Sequence, residues 1–512
     1  MSKNNGAIVK TRAGSIEGTY EDGLYVFRGV PYAAPPVGEL RWLPPRPVKE
    51  WDGVRPAKQF GPIAPQNPLP GGVIIQEPQP QDEDCLFLNI WTKGLDGAKR
   101  PVMVWIHGGA FIIGSGTEVM YTGGKLASYG DIVLVTINYR LGALGFINLD
   151  VVTGGKIPAT GNEGLLDQII AIEWVHDNIT AFGGDPDNIT VFGESAGGMS
   201  IGTMMSMPAA GGKFPKAILE SGAANTVSDL DEAVDMSKEY LKVLGLSGND
   251  VDALRNLTTK QLMDAQQQLG VMMQEKEHRI TPFQPLVDGK VIPERPIEAI
   301  RKGSAKGVTA IIGTNLDEWK LFAIMEPGFK DMTETAMMER LSVMLPGQSI
   351  KGLVEAYRRA LAERGVTPKP ADILTAIQTD IMFRMPAIHL VEAQRDNGQK
   401  VYNYLFTWKS PAMGGVFGAC HALEMGFVFC QPDPMLGGTG PDVDILSRCM
   451  QDAWLAFARS GDPSCGSIGK WPEYGEKRMT MIFDKDCHVE AAPYDIERAA
   501  WDKVDMLFTK PI

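Results

Sequence analysis

The stretch Ile189-Thr190-Val191-Phe192-Gly193-Glu194-Ser195-Ala196-Gly197 runs from β-branched and aromatic residues into the pattern G-x-S-x-G. Asn188–Phe192 reads as a buried strand and Gly197–Met207 as the helix that follows it. A serine at so sharp a strand-to-helix turn sits in a strained backbone, and the turn closes only if the residues two away lack bulk. The helix that follows turns its positive N-terminal dipole toward charge developing at the serine. The pattern alone is not selective, because Gly198-Met199-Ser200-Ile201-Gly202 also satisfies it. That second match has no strand before it and lies within helical sequence. Ser195 therefore reads as a nucleophile and Ser200 as a structural helix residue.

Working outward, further apolar runs read as strands: Val102–Ile106, Ile132–Ile137, Ala217–Leu219, Thr309–Ile312 and Val401–Phe406. Between them lie helical patterns, the clearest being Asn162–Ile179, with Leu165, Leu166, Ile169, Ile172 and Val175 returning on one face. Strands alternating with helices predict an α/β chain with a mainly parallel central sheet flanked by helices. Functional residues of such sheets gather beyond the carboxyl ends of the strands. Arg28–Asp52 and Phe60–Pro80 are dense in Pro and Gly, with Tyr32, Trp42 and Trp51 interleaved, which predicts ordered surface loops. Residues 225–308 and 325–398 are helical in pattern and rich in Met and Gln, and read as insertions that form a cap or gorge. Met272, Met273, Met325, Met337, Met338 and Met344 there read first as helix core, with an adaptable apolar lining as the alternative. No internal repeat or clean boundary divides residues 1–512, so one domain is expected.

His107-Gly108-Gly109-Ala110-Phe111 follows the strand Val102–Ile106, an HGG loop of the kind that offers N–H groups to a tetrahedral intermediate in α/β-hydrolases. The expected donors are the N–H groups of Gly109, Ala110 and Ala196. In these hydrolases an acid follows the serine along the chain, and a histidine follows the acid. Of the six histidines, His421 lies after Val401–Phe406 and a Gly-rich loop, the position of a base. His389 falls in helical sequence and His488 in an acidic, surface-like stretch. The acid should follow Thr309–Ile312, where Asp317 and Glu318 stand side by side and local physics does not separate them.

The 512 residues are 44% hydrophobic and 22% charged, enough for a sizeable core. With 49 basic and 62 acidic residues the net charge is −13, which argues against nucleic acid or an anionic membrane as partner and suits solubility. No apolar run is long enough to span a bilayer, and Met1–Ser15 is polar and goes straight into strand-like sequence, without the pattern of a signal peptide. The six cysteines show no zinc-ligand spacing and are expected to be mostly reduced and buried. A cytoplasmic enzyme with no metal and no organic cofactor is the expectation.

These residues together resemble the type-B carboxylesterase and cholinesterase family, bacterial para-nitrobenzyl esterases in particular. The resemblance rests on Phe27-Arg28-Gly29-Val30-Pro31-Tyr32-Ala33, Glu83-Asp84-Cys85-Leu86, Trp105–Phe111, Asn138-Tyr139-Arg140, Gly193–Gly198, Asp317-Glu318, His421-Ala422-Leu423-Glu424 and Trp454–Ala458. It implies an α/β-hydrolase fold and hydrolysis of small to medium apolar carboxylic esters through Ser195, Glu318 and His421, with Asp317 a structural neighbour. It also implies that Glu194 and Ser221 lie near the triad, and that Arg28–Glu83 and Arg140–Asp167 form ion pairs maintaining the fold. Relatives in oxidising compartments pair the equivalent of Cys85 with an upstream cysteine. Ala64 stands at that place here, so Cys85 is expected to be a free thiol. Residues 65–84 contain no Trp of the kind that binds choline in cholinesterases. Gly426 stands where relatives often carry Pro, and Gly109-Ala110 resembles a type of oxyanion loop that admits some tertiary-alcohol esters. Two other readings follow from the same resemblance: an amidase or carbamate hydrolase with the same triad, and a non-catalytic cholinesterase-like binding protein. Members of the latter kind lose triad residues, and all three are present here. The expected partner is a small-molecule ester, with the oligomeric state open.

Overall fold

The computed structural model describes residues 7–68, 79–277, 282–346 and 350–504. The chain forms two compact units, the first of Met1–Leu219, Ala224–Thr309 and Ala458–Gly461, the second of Glu220–Ala223, Ala310–Phe457 and Asp462–Ile512.

The first unit is built on β1 (Ala7–Lys10), β2 (Ser15–Glu21), β3 (Leu24–Pro31), β4 (Val54–Pro56), β5 (Phe87–Thr92), β6 (Arg100–Ile106), β7 (Val133–Ile137), β8 (Gly184–Glu194) and β9 (Lys216–Glu220). Their order is β1-β2-β3-β5-β7-β6-β8-β9, with β4 beside β2. β6 pairs in parallel with both β7 and β8, and β1, β2, β3, β5 and β7 pair successively antiparallel. Every residue of β7 is buried, as is nearly all of β6, which explains their unbroken Val/Ile/Leu runs. The helix predicted over 162–179 forms at Glu163–Asn178 and buries more than one stripe, with Asp167 and Gln168 also inside. Apart from the strand-like sequence after Ser15, strands β1 to β5 were not expected. β1 and β2 alternate buried and more exposed residues in short runs of mixed polarity, so the period-2 signal in Ser15–Glu21 is weak. The aromatic residues of the Pro-rich segments do anchor ordered loops: the Tyr32 hydroxyl donates to Asn138 O (2.6 Å), Trp42 Nε1 to Ala143 O (3.0 Å) and Trp51 Nε1 to Ser15 O (3.0 Å). Within the segment Phe60–Pro80, residues 69–78 lie outside the described residues.

Residues 225–308 are mainly helical, including Leu230–Val243 and Thr259–Glu277, with a small parallel pair of β10 (Ser228–Asp229) and β11 (Leu286–Val287). Arg140 grips Asp167 through two bonds, Nε–Oδ2 (2.8 Å) and Nη2–Oδ1 (2.7 Å), while its Nη1 donates to Leu43 O (2.8 Å). The expected Arg28–Glu83 pair does not form. Arg28 reaches Glu21 on the adjoining strand of its own hairpin, and Glu83 accepts the fork of Arg41 with both bonds at 2.7 Å. A planar guanidinium facing a carboxylate edge-on makes the second pairing the stronger partner for Glu83.

The second unit is built on β12 (Thr309–Asn315), β13 (Val401–Phe406), β14 (Met479–Phe483) and β15 (His488–Ala491). The first three are parallel and β15 closes the edge antiparallel. Residues 325–398 are helical as expected, with Glu334–Met344, Ile350–Glu363, Pro370–Thr379 and Met385–Asp396. Met337 and Met344 are buried with Leu341, Leu353, Tyr357 and Ile377, and Met338 packs on the same cluster. These methionines are helix core, the plainer of the two readings. Among the described residues no helix is long and apolar enough to cross a membrane.

Candidate active site

Ser195 caps the carboxyl end of β8 and opens the helix Ala196–Met204. Its backbone is φ 54°, ψ −124°, a strained conformation for a residue with a Cβ. Packing around the turn holds it there. A Cβ on Gly197 would stand 2.0 Å from Ile106 O, and one on Gly193 would stand 2.6 Å from the same oxygen, so both neighbours must be glycine. Ser195 alone among residues 191–200 is not buried. Ser200 lies inside the helix, buried, and accepts a bond from Gln168 Nε2 (3.1 Å), which fits a structural role.

The HGG loop lies against this turn because β6 and β8 run in register, with Ile106 opposite Gly193. A Cβ on Gly108 would stand 2.8 Å from Glu194 O, 2.9 Å from Glu194 Oε2 and 3.1 Å from Ser195 Cβ. Glu194 is thus buried beside Ser195. Gly109, Ala110 and Phe111 all have positive φ (108°, 55° and 62°), turning successive backbone groups out of the usual range. Five hydrogen bonds hold the loop. Ile112 N and Ile113 N donate to Gly109 O (both 3.0 Å), Gly142 N donates to Phe111 O (2.7 Å), and the Gln66 carboxamide exchanges two bonds with the Gly114 backbone. His107 is stacked on Tyr139 at 4.4 Å, and burial pushes its pKa down to about 4, so the neutral ring donates from Nδ1 to Gly108 O (2.8 Å). Among the described residues no protein acceptor takes the N–H of Gly109, Ala110 or Ala196. A fixed loop beside a serine, with N–H groups that no protein acceptor takes, is what an oxyanion requires.

In the second unit, His421 Nδ1 lies 2.7 Å from Glu318 Oε2, and His421 N donates to Glu318 O. Glu318 is fully buried, and its other oxygen accepts from Ser221 Oγ (2.6 Å) and Asn315 N (2.7 Å). Asp317 points elsewhere, taking Ala419 N (3.0 Å) and pairing with Lys320 Nζ (3.0 Å). Geometry therefore separates the two carboxylates. Phe322 and Phe383 flank the His421 ring at 5.3 and 4.7 Å, Phe383 coming from a π-helical turn, Asp380–Arg384. Such turns are rare and often occur at functional sites.

Glu424 belongs to this network although the sequence reading used it only as part of a motif. Asn315 Nδ2 donates to Glu424 Oε2 (2.5 Å) and Ser221 Oγ approaches its Oε1 (3.3 Å). Burial, and then the charge of Glu318, pushes its pKa up to about 7. Its spacing three residues past His421 was the available signal. His389 is helical, His488 and His176 are exposed, and His278 lies outside the described residues. All six cysteines are free thiols, Cys85 included, but only Cys85, Cys420 and Cys449 are buried. The others border short surface turns, where an apolar thiol is only half covered. Among the described residues no group of His, Cys, Asp and Glu side chains is arranged to hold a metal ion.

The profile of the carboxylesterase family matches residues 5–499. The chain belongs to the carboxylesterase family. It is 38% identical to the para-nitrobenzyl esterase of Bacillus subtilis over 498 residues, covering 96% of this chain and 97% of that one. It is 37% identical to the phenmedipham hydrolase of Pseudarthrobacter oxydans, over 95% and 96% of the two chains. Among solved structures, a carboxylesterase of Geobacillus stearothermophilus is similar with a TM-score of 0.86 and 37% identity, covering 96% of this chain and 99% of that one. The carboxylesterase assignment carries the α/β-hydrolase fold with it, and the protein is an enzyme of the carboxylesterase type acting on small-molecule esters.

Proposed function

We propose that the enzyme cleaves carboxylic esters by acyl transfer to Ser195, with His421 as general base and Glu318 as its orienting acid. The observation that carries this reading is the 2.7 Å bond between Glu318 and His421 Nδ1. With Nδ1 committed to a buried carboxylate, Nε2 is the nitrogen through which the ring works, and the carboxylate stabilises the imidazolium once it forms. Ser195 Oγ gives its proton to His421 as it attacks the carbonyl carbon. The carbonyl oxygen takes up negative charge and is held by the N–H groups of Gly109, Ala110 and Ala196. The C–O bond then breaks, the alcohol leaves with the proton from His421, and water repeats the sequence on the acyl-enzyme. Glu194 and Ser221 are positioning residues, the first packed beside the serine turn and the second bonded to Glu318. None of these steps calls on a metal or organic cofactor.

The aromatic flank of His421 favours an apolar acyl or alcohol group of small to medium size. The unpaired Cys85 supports a cytoplasmic setting. A phosphonylating ester analogue tests the assignment, since it stops at the first covalent stage. The expected result is one adduct on the peptide bearing Ser195 with complete loss of esterase activity. Inactivation with the adduct on any other residue would overturn it.

A further inference from the structure

The second unit holds a pocket of about 420 Å³, mouth included, lined by residues of β12, β13 and β14, of the helix Met385–Asp396 and of the segment leading into the helix Asp495–Ala500. Three arginines line it, Arg384, Arg478 and Arg498, and no carboxylate does. The acids paired with them are Asp380, Asp495 and Asp502, none of which lines the pocket. Asp495 Oδ1 accepts from Arg478 Nη2 (2.6 Å) and Arg498 Nε (3.1 Å), and Asp502 accepts from the other two nitrogens of Arg498 (2.8 and 3.0 Å). Arg384 donates through Nη2 to Tyr494 O (3.2 Å) and has Asp380 3.6 Å from its Nε. Donors are left over. Among the described residues no protein acceptor takes Arg478 Nε or Nη1, or Arg384 Nη1. The same is true of the Thr314 and Tyr474 hydroxyls, which belong to lining residues only 2% exposed. Burial raises the pKa of Tyr474, so its hydroxyl stays a donor.

We propose that this pocket binds a short-chain monocarboxylate, with Arg478 and Arg384 taking the carboxylate. Buried donors without acceptors call for an acceptor from outside the chain, and the planar fork of a guanidinium matches the two oxygens of a carboxylate. Each of the three guanidiniums already faces an acid, so little net positive charge is left over, which favours a monoanion over a phosphate dianion. Ala387, Ile388, Leu405 and Pro493 add apolar lining, a surface for an alkyl tail that offers nothing to the further oxygens of a phosphate. Ester cleavage by an enzyme of this family releases anions of this class, so a source of the ligand is at hand.

Calorimetric titration of the whole enzyme with sodium butyrate, at constant ionic strength in chloride, tests the proposal. Wild type should bind butyrate in the millimolar range, and butyramide and inorganic phosphate should each bind at least about tenfold more weakly. Arg478→Gln, at a partly exposed position, should lose at least about tenfold in butyrate affinity. A crystal structure of the wild type grown with butyrate locates the anion without relying on any variant, and should place its carboxylate on Arg478. No binding at millimolar butyrate, unchanged affinity in Arg478→Gln, phosphate binding as tightly as butyrate, or butyrate seen only elsewhere on the protein would overturn the proposal. Neither readout depends on esterase activity.

Discussion

A neutral imidazole takes a proton well at one nitrogen when an acceptor holds the other, and Glu318 Oε2 does this for Nδ1 of His421 at 2.7 Å. Glu318→Gln keeps the shape but presents an amide that favours the wrong tautomer. Ester turnover should fall by about 10⁴, while Asp317→Asn, whose native carboxylate bonds Ala419 N and Lys320, should stay within about tenfold of wild type. Measuring kcat for both variants checks this, and equal losses would refute the division of roles. At this scale the nucleophile and base were legible because each stood after a strand in the right chain order. The acid was not legible from local physics, since Asp317 and Glu318 are adjacent carboxylates after the same strand and only their distant partners, Ala419 for one and His421 for the other, tell them apart. Family resemblance alone separated them beforehand. Glu424 escaped because its partners, Asn315 and Ser221, lie about a hundred and two hundred residues away in sequence, at 109 and 203 residues.

Elements carry the rest of the chemistry. β6 and β8 end side by side, so the loop after one meets the turn after the other, and only glycine fits between them at position 108. Gly108→Ala forces its Cβ against Glu194 O at 2.8 Å and Ser195 Cβ at 3.1 Å. The loop must shift, and with it the N–H groups proposed to hold the oxyanion. Hydrolysis should drop by about 10² or more with the far-UV circular dichroism unchanged. Full activity in the variant would show that the loop is not held as tightly as its contacts imply. The buried strands β6, β7, β8, β9, β12 and β13 were readable as apolar runs, within a few residues of their ends. The edge strand β1 was not, because buried and exposed residues alternate within its four positions. Pairing partners supply what local pattern lacks there.

For the whole molecule, buried titratable groups couple stability to pH. Glu424 binds its proton up to about pH 7 when folded, against an ordinary value of 4.5. Between those values the folded state holds more protons than the unfolded one, so this group's contribution to stability falls as pH rises through the window and is constant above it. Glu163, also raised to about 7 by burial, adds a second slope of the same sign. His107, lowered from 6.5 to about 4, acts oppositely, and its contribution is lost as pH falls through that range. Glu424→Gln removes one alkaline slope and leaves the other two. The melting temperature of wild type should therefore drop more between about pH 5 and pH 8 than that of the variant, and equal drops would contradict the buried neutral carboxylate. The α/β class and the helical character of residues 225–308 and 325–398 were legible from periodicity, whereas β15 is too exposed to stand out and the buried β14 is a five-residue run with only one β-branched apolar residue, Ile482. The measurement that tests the central claim most directly is hydrolysis of para-nitrophenyl esters, from acetate to palmitate, by wild type and Ser195→Ala. The account predicts turnover by wild type, strongest on short and medium acyl chains, and a loss on the order of 10⁶ in the variant. An inactive wild type, or a variant that keeps its rate, would contradict it.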